Sequence, residues 1–210
     1  CGTTAVACDP HEIANVAGLH GVAAVAEAAE KMPFTFGLAA SSCVPASSFE
    51  SPGAAFSPAD IRHLITEFNA IGIGEVMNYP AVISGDPTFR EIIAAAGWRS
   101  VDGHAPGLRG SQLDAYLAAG VESDHECFAL DEAHEKRQKG MWVFLRYGSA
   151  CKDLEELLPT VLTNGPTRTA MCTDDREPHQ IRTIGHINHC VRLAVAAGCN
   201  EIDALIMATF

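Results

Sequence analysis

The sequence predicts an α/β fold of parallel strands joined by crossover helices, and three observations predict it. Short apolar, β-branched runs alternate with longer stretches of helical period along the 210 residues. The alternation repeats about every 30 residues, the length of a strand–helix unit. Hydrophobic residues make up 48 % and charged residues 19 %, a composition that fills one substantial core and is unlike that of a disordered chain.

Strands are expected at residues 3–8, 34–38, 70–74, 99–102, 120–123, 141–145 and 169–173. Helices are expected at 17–31, 58–68, 87–96, 111–119, 129–139, 152–162 and 186–197, with a last one beginning near residue 200. Ser57-Pro58 reads as an N-cap followed by proline in the first turn, and Asp86-Pro87 repeats the device. Gly97, Gly120, Gly140 and Gly198 each follow a helical run, where a left-handed C-cap favours glycine. No linker or low-complexity segment interrupts the series. Seven units fit a doubly wound open sheet, or an eight-stranded barrel lacking one unit. The chain opens directly into a strand and stops inside a helix, which favours a partial TIM-type (β/α)8 barrel. Its strands would be two to eight, with the first strand and the C-terminal region missing.

Net charge is −12, from 26 acidic and 14 basic residues. Such a surface repels phosphate backbones and anionic lipid, so no nucleic acid and no membrane are expected as partners. Apolar runs fall well short of the roughly 18 residues that span a bilayer, and no secretory leader is evident, so a cytoplasmic setting is expected. The eight cysteines include no C-x-x-C pair, and several lie in apolar runs, as Cys8 and Cys172 do. They read as reduced core thiols rather than a disulfide framework.

Catalytic groups of a parallel barrel come from the carboxyl ends of its strands. Those ends carry Asp9-Pro10-His11-Glu12, Gly74-Glu75 with Asn78, Asp102-Gly103-His104, Asp124-His125-Glu126 and Thr173-Asp174-Asp175-Arg176. One such histidine alone, His104 for example, reads as a structural group. Glu75, His104, His125 and Asp174 from separate strands of one ring read as a metal site, because this mixture of oxygen and imidazole suits divalent cations. Asp174 also reads as a cap on the following helix, a duty for which Asp175 is the better candidate.

Five segments together resemble a known family. They are Asp9-Pro10-His11-Glu12-Ile13-Ala14-Asn15-Val16, Gly74-Glu75-Val76-Met77-Asn78-Tyr79-Pro80, Asp102-Gly103-His104-Ala105-Pro106-Gly107, Ser123-Asp124-His125-Glu126-Cys127 and Cys172-Thr173-Asp174-Asp175-Arg176. In this order they resemble the adenine deaminases, metal-dependent hydrolases of the amidohydrolase superfamily, over nearly the whole chain. The resemblance implies a single incomplete barrel domain over residues 1–210 and a binuclear centre of two divalent metal ions. Manganese is the expected metal, with iron or zinc also suited to the ligands. Glu75 matches the carboxylate that bridges the ions, and His104 and His125 match the histidines that hold the second. Asp174 matches the aspartate that touches the first ion and handles protons.

The implied reaction is the hydrolytic deamination of adenine, a small-molecule substrate, to hypoxanthine and ammonia, in purine salvage. A metal-activated hydroxide attacks C6 of the base, and Asp174 passes the water's proton to the departing amine. Glu126 is either the donor to a ring nitrogen or a support for His125. His11 and Glu12 either line the base pocket or lock the loop after the first strand. The H-x-E…P-C-x-x-C signature of the zinc nucleobase deaminases is absent.

Two departures qualify the resemblance. The superfamily's His-x-His pair occurs nowhere in the 210 residues, so the chain by itself is expected to be inactive. Leu145-Arg146-Tyr147-Gly148-Ser149 carries Tyr147 where an Arg-Glu-Gly-Ser pattern would place glutamate, which leaves open a relative acting on another heterocycle or a cyclic amide. A homo-oligomer is compatible with the sequence.

Overall fold

The computed structural model describes residues 1–209, which gather into two compact units. The elements run in the order β1 (Ala5–Cys8), α1 (His11–Ala29), β2 (Thr35–Ala40), α2 (Pro58–Thr66), β3 (Gly72–Val76), α3 (Tyr79–Ile83), α4 (Pro87–Ala94), β4 (Ser100–Gly103), α5 (Gly110–Ala118), β5 (Ser123–Asp124), α6 (Leu130–Gln138), β6 (Trp142–Arg146), α7 (Leu154–Leu157), α8 (Pro159–Asn164), β7 (Thr169–Cys172), α9 (Pro178–Thr183), α10 (Ile187–Ala196) and α11 (Glu201–Thr209). This is the expected α/β alternation, with parallel pairing throughout both sheets.

One unit comprises residues 4–104 and 115–122. Its sheet has the order β1-β2-β3-β4, with Ala5 opposite Thr35, Ala39 opposite Gly72 and Ile73 opposite Val101. The β3–β4 register slips between Ile73 and Val76, so Gly74 and Glu75 lie in an irregular stretch. Such irregularities re-aim a side chain at a strand end. Leu38, Ile61, Leu64, Ile73, Ile92 and Val101 are buried in this unit.

The other unit comprises, among the described residues, 1–3, 105–114 and 123–209. Its sheet has the order β5-β6-β7, with Asp124 opposite Val143 and Arg146 opposite Cys172. Val143, Leu145, Leu154, Leu157, Cys190, Ala194 and Met207 contribute to its core, in which β6 packs on α6 and α7 and β7 packs on the last two helices.

Local chemistry explains most boundaries. Ser57 and Asp60 form a reciprocal capping box ahead of Pro58, and Asp86 accepts from the amides of Thr88 and Phe89. The four glycines expected as caps have φ of 63°, 105°, 89° and 97° in chain order. Several expectations need correction. Helix α1 starts at His11 rather than 17, because a helical turn precedes a break at Gly18, whose φ is 60°. The helix expected over 152–162 is divided at Pro159, which lacks the amide to continue it. The strand expected over 120–123 is displaced to Ser123–Asp124, since Gly120 still terminates α5 in a left-handed conformation. Helices α3 and α9, each opened by a proline in its first turn, were not expected. The eight cysteines are free, in line with reduced thiols. No helix among the described residues is long and apolar enough to cross a membrane.

Candidate functional site

In the four-stranded unit, the residue just past β1 organises the strand ends. Asp9 accepts the Ser41 hydroxyl on Oδ1 at 2.5 Å and the Glu75 amide on Oδ2 at 2.9 Å. A Cβ at position 74 would lie 2.2 Å from Asp9 Oδ2, so any residue other than glycine there would force the Asp9 side chain to shift. The Ser42 hydroxyl donates to the Glu75 carbonyl at 2.7 Å, so the Glu75 backbone is held on both sides. Its carboxylate then lies 3.0 Å from His104 Nδ1, with both side chains partly buried. Fully buried Tyr116 links the ends of β3 and β4: its hydroxyl donates to the Val76 carbonyl and accepts from the His104 amide.

Of the expected base-lining pair, His11 is partly buried, with Nδ1 3.5 Å from Asp9 Oδ2, whereas Glu12 is 76 % exposed. The Asp9 carboxylate pushes His11 up to about 9 against the opposing effect of burial. Asp9, His11 and Glu75 offer ligand atoms within 4.8 Å of one another. The Glu75–His104 contact is a hydrogen bond between a carboxylate and an imidazole, both of them groups that can ligate a divalent cation.

In the three-stranded unit, His125 is buried and its Nε2 lies 3.5 Å from Glu126 Oε1. Arg146, at the end of β6, is the residue that organises this side. It is 4 % exposed, is paired through both terminal nitrogens with Glu126, and donates to Asp174 Oδ2 and Asp153 Oδ2, each at 3.0 Å. Burial works against its charge, but the three carboxylates more than offset that and raise its hold on the proton. His125, Glu126 and Asp174 also offer ligand atoms within 4.8 Å of one another.

Asp174 has φ of 50°, a left-handed conformation uncommon outside glycine. Residues held in such regions cluster at functional sites because the surroundings must over-determine them. Asp175 does not cap α9: that helix is preceded by Glu177, which makes no side-chain cap. Tyr147 is engaged by its neighbours, with His189 5.1 Å, Arg176 5.4 Å and Lys152 5.7 Å from its ring centroid.

Each unit thus brings its own expected groups together, Glu75 with His104 in one and His125, Glu126 and Asp174 in the other. Sequence reasoning gave no role to Asp9 or Arg146. The usable signal for Asp9 was its place directly after a strand in a quoted segment. For Arg146 it was a charge following the apolar run Trp142–Leu145.

The model of the amidohydrolase family matches residues 1–210. Adenine deaminase from Nitratidesulfovibrio vulgaris (Hildenborough) is 44 % identical over 210 residues, 99 % of this chain and 36 % of that protein. Adenine deaminase from Clostridium acetobutylicum is 42 % identical over 210 residues, with 99 % and 37 % covered. Adenine deaminase 2 from Carboxydothermus hydrogenoformans is 42 % identical over 208 residues, with 99 % and 36 % covered. The chain spans little more than a third of the length of these relatives. Among solved structures, N-acetyl-D-glucosamine-6-phosphate deacetylase from Mycobacterium smegmatis matches with a TM-score of 0.54 at 15 % identity, covering 98 % of this chain and 61 % of that one. That likeness is one of fold. With its full length matched, its α/β architecture shared and its carboxylates and imidazoles gathered at strand ends, the chain belongs to the amidohydrolase family.

Proposed function

We propose that the protein catalyses the hydrolytic deamination of adenine, consuming water and releasing hypoxanthine and ammonia. The observation that carries this reading is 44 % identity over the whole chain to a protein named adenine deaminase. Family membership implies use of a divalent metal. In this reading Glu75, His104, His125 and Asp174 hold two such ions, with manganese the first choice and iron or zinc the alternatives. When bound, such ions lower the pKa of a coordinated water and so supply a nucleophile at neutral pH.

The chain's own residues do the rest. Asp174 takes the proton from the attacking water and returns it to the departing amine at C6. Arg146 keeps that carboxylate oriented through its 3.0 Å bond to Oδ2. Glu126 stands either as donor to a ring nitrogen or as brace for His125, and its pairing with Arg146 supports the brace. His11, partly buried beside Asp9, is the better placed of the pair to meet the base, while the exposure of Glu12 suits it less to lining a pocket. The same reading takes residues 1–210 as part of one barrel domain of a cytoplasmic enzyme of purine salvage, with homo-oligomerisation allowed.

The test is ammonia release by the manganese-loaded intact gene product, not the 210-residue chain by itself, from adenine, beside adenosine, cytosine and a cyclic amide. Selective release from adenine is expected. Turnover of another compound without adenine would overturn the substrate and favour a related amidohydrolase, with Tyr147 as the place of divergence.

A further inference from the structure

Helix α6 has the sequence Leu130-Asp131-Glu132-Ala133-His134-Glu135-Lys136-Arg137-Gln138, the composition of a solvated surface helix. Yet Lys136 is 0 % exposed, as is Asp124, and Glu132 is 1 % exposed. A buried ammonium needs acceptors for all three protons. Lys136 Nζ donates to the Ala105 carbonyl at 2.7 Å, to Asp124 Oδ2 at 2.9 Å and to Glu132 Oε1 at 2.6 Å. The carboxylates in turn hold the same loop. Asp124 Oδ1 accepts the Ala105 amide at 2.8 Å, and Glu132 Oε1 accepts the Gly107 amide at 2.8 Å. The Cys127 thiol donates to Asp124 Oδ2 at 3.1 Å.

Burial alone would push Asp124 up and Lys136 down; their pairing reverses both, leaving Asp124 below and Lys136 above their ordinary values. Asp124, Cys127 and Glu132 have the spacing of a cation site; Asp124 and Glu132 hold the ammonium of Lys136 there, while the Cys127 thiol donates to Asp124. Replacing buried ion pairs with apolar groups is often neutral or stabilising, so stability is a weak reason for this arrangement. Position is a stronger one. Ala105 directly follows His104 in the chain, and Asp124 directly precedes His125.

We propose that Lys136 is a positioning residue for metal binding: through Asp124 and the 105–107 loop it fixes the backbone that carries His125 and the residue following His104. The inference rests on the ligand assignment given under Proposed function. Groups outside the ligand shell that orient ligating histidines affect metal affinity by about 10–100-fold.

The experiment titrates Mn2+ into metal-free protein carrying Lys136→Met with Glu132→Gln, a pair that preserves the formal charge of the buried group. Far-UV circular dichroism and thermal melting report whether it folds. A folded variant that binds Mn2+ about 10–100-fold more weakly is expected, with Lys136→Arg regaining part of the loss. A folded variant with affinity within about twofold of the unaltered protein, well short of that range, overturns the inference. If the double variant does not fold, Lys136→Arg decides: weakened binding in the folded protein supports the role, and unaltered binding overturns it. Failure of both to fold also overturns it, since Lys136 would then serve folding alone. His125→Asn separates the two readings. If it retains full affinity, the ligand assignment is wrong. If it loses Mn2+ while the lysine variants do not, only the positioning role fails.

Discussion

Glu75 is held by three neighbours before its carboxylate does anything: Asp9 takes its amide, Ser42 its carbonyl side, and His104 stands 3.0 Å from Oε2. Glu75→Gln keeps the size and removes the charge. In the intact gene product it is expected to lose bound metal and activity together, each by about 100-fold or more, because a ligand matters at least as much as the groups that orient it. Metal analysis beside the ammonia assay checks this, and full metal content in the variant would remove Glu75 from the ligand set. Gly74→Ala tests the support rather than the ligand. With its Cβ 2.2 Å from Asp9 Oδ2, something must shift, at a cost of about 1–3 kcal/mol. Urea denaturation reads that cost, and unaltered stability would mean that Asp9 is free to move. At this scale the placement of Glu75, His104 and His125 at strand ends was legible, because residue type and place in a strand–helix unit agree there. Asp9, Arg146 and Lys136 were harder to read because each depends on a partner distant in the chain, Glu75 for Asp9, Glu126 for Arg146 and Ala105 for Lys136.

Among the elements, α2 shows how a local signal sets a boundary. Asp60 accepts both the amide of Ser57 at 2.8 Å and its hydroxyl at 2.6 Å, and these bonds hold the Asp60 carboxyl below its ordinary value. A carboxylate whose folded value is depressed contributes stability that is present above its unfolded pKa of about 3.9 and is lost as pH falls through the lower folded value. Asp60→Asn is therefore expected to lower stability by about 1 kcal/mol at neutral pH, typical of a cap, with the deficit shrinking below about pH 4. Denaturation curves at neutral and acid pH check it; a deficit that persists unchanged in acid would mean that the charge is irrelevant. Elements with such punctuation were legible: Ser57-Pro58, Asp86-Pro87 and the four glycine caps stand where the sequence placed them. β5 was displaced because its ladder is only two residues long, with no alternation to read, and α9 was missed because no residue of its six is buried, so no apolar stripe marks it. Pro159 marks the break between α7 and α8, which an apolar period running through both conceals.

For the molecule as a whole, parallel α/β order was legible from the alternation of short apolar and long amphipathic segments, whereas the division into two compact units was not. The chain passes between the units more than once, and no linker or change in composition marks the crossings. The whole molecule also carries a net charge of −12, part of it in carboxylates drawn together at strand ends. Charge brought together by folding is best stabilised by a cation that binds the folded chain and not the unfolded one. The stabilisation by such a ligand grows as RT ln(1 + [L]/Kd), about 2.7 kcal/mol when the free ion is at 100 times its Kd. For a domain of 150–250 residues that corresponds to a melting point higher by about 5–10 °C. Removing the metal with a chelator, followed by dialysis, is therefore expected to lower the melting temperature by this amount and, in the intact gene product, to abolish ammonia release, with both restored by Mn2+. Because the carboxylates would repel one another once the ion is gone, the loss should be larger at low ionic strength than in high salt, where that repulsion is screened. Metal-free protein that melts at the same temperature and still releases ammonia would overturn the assignment of the strand-end carboxylates and histidines as a metal site.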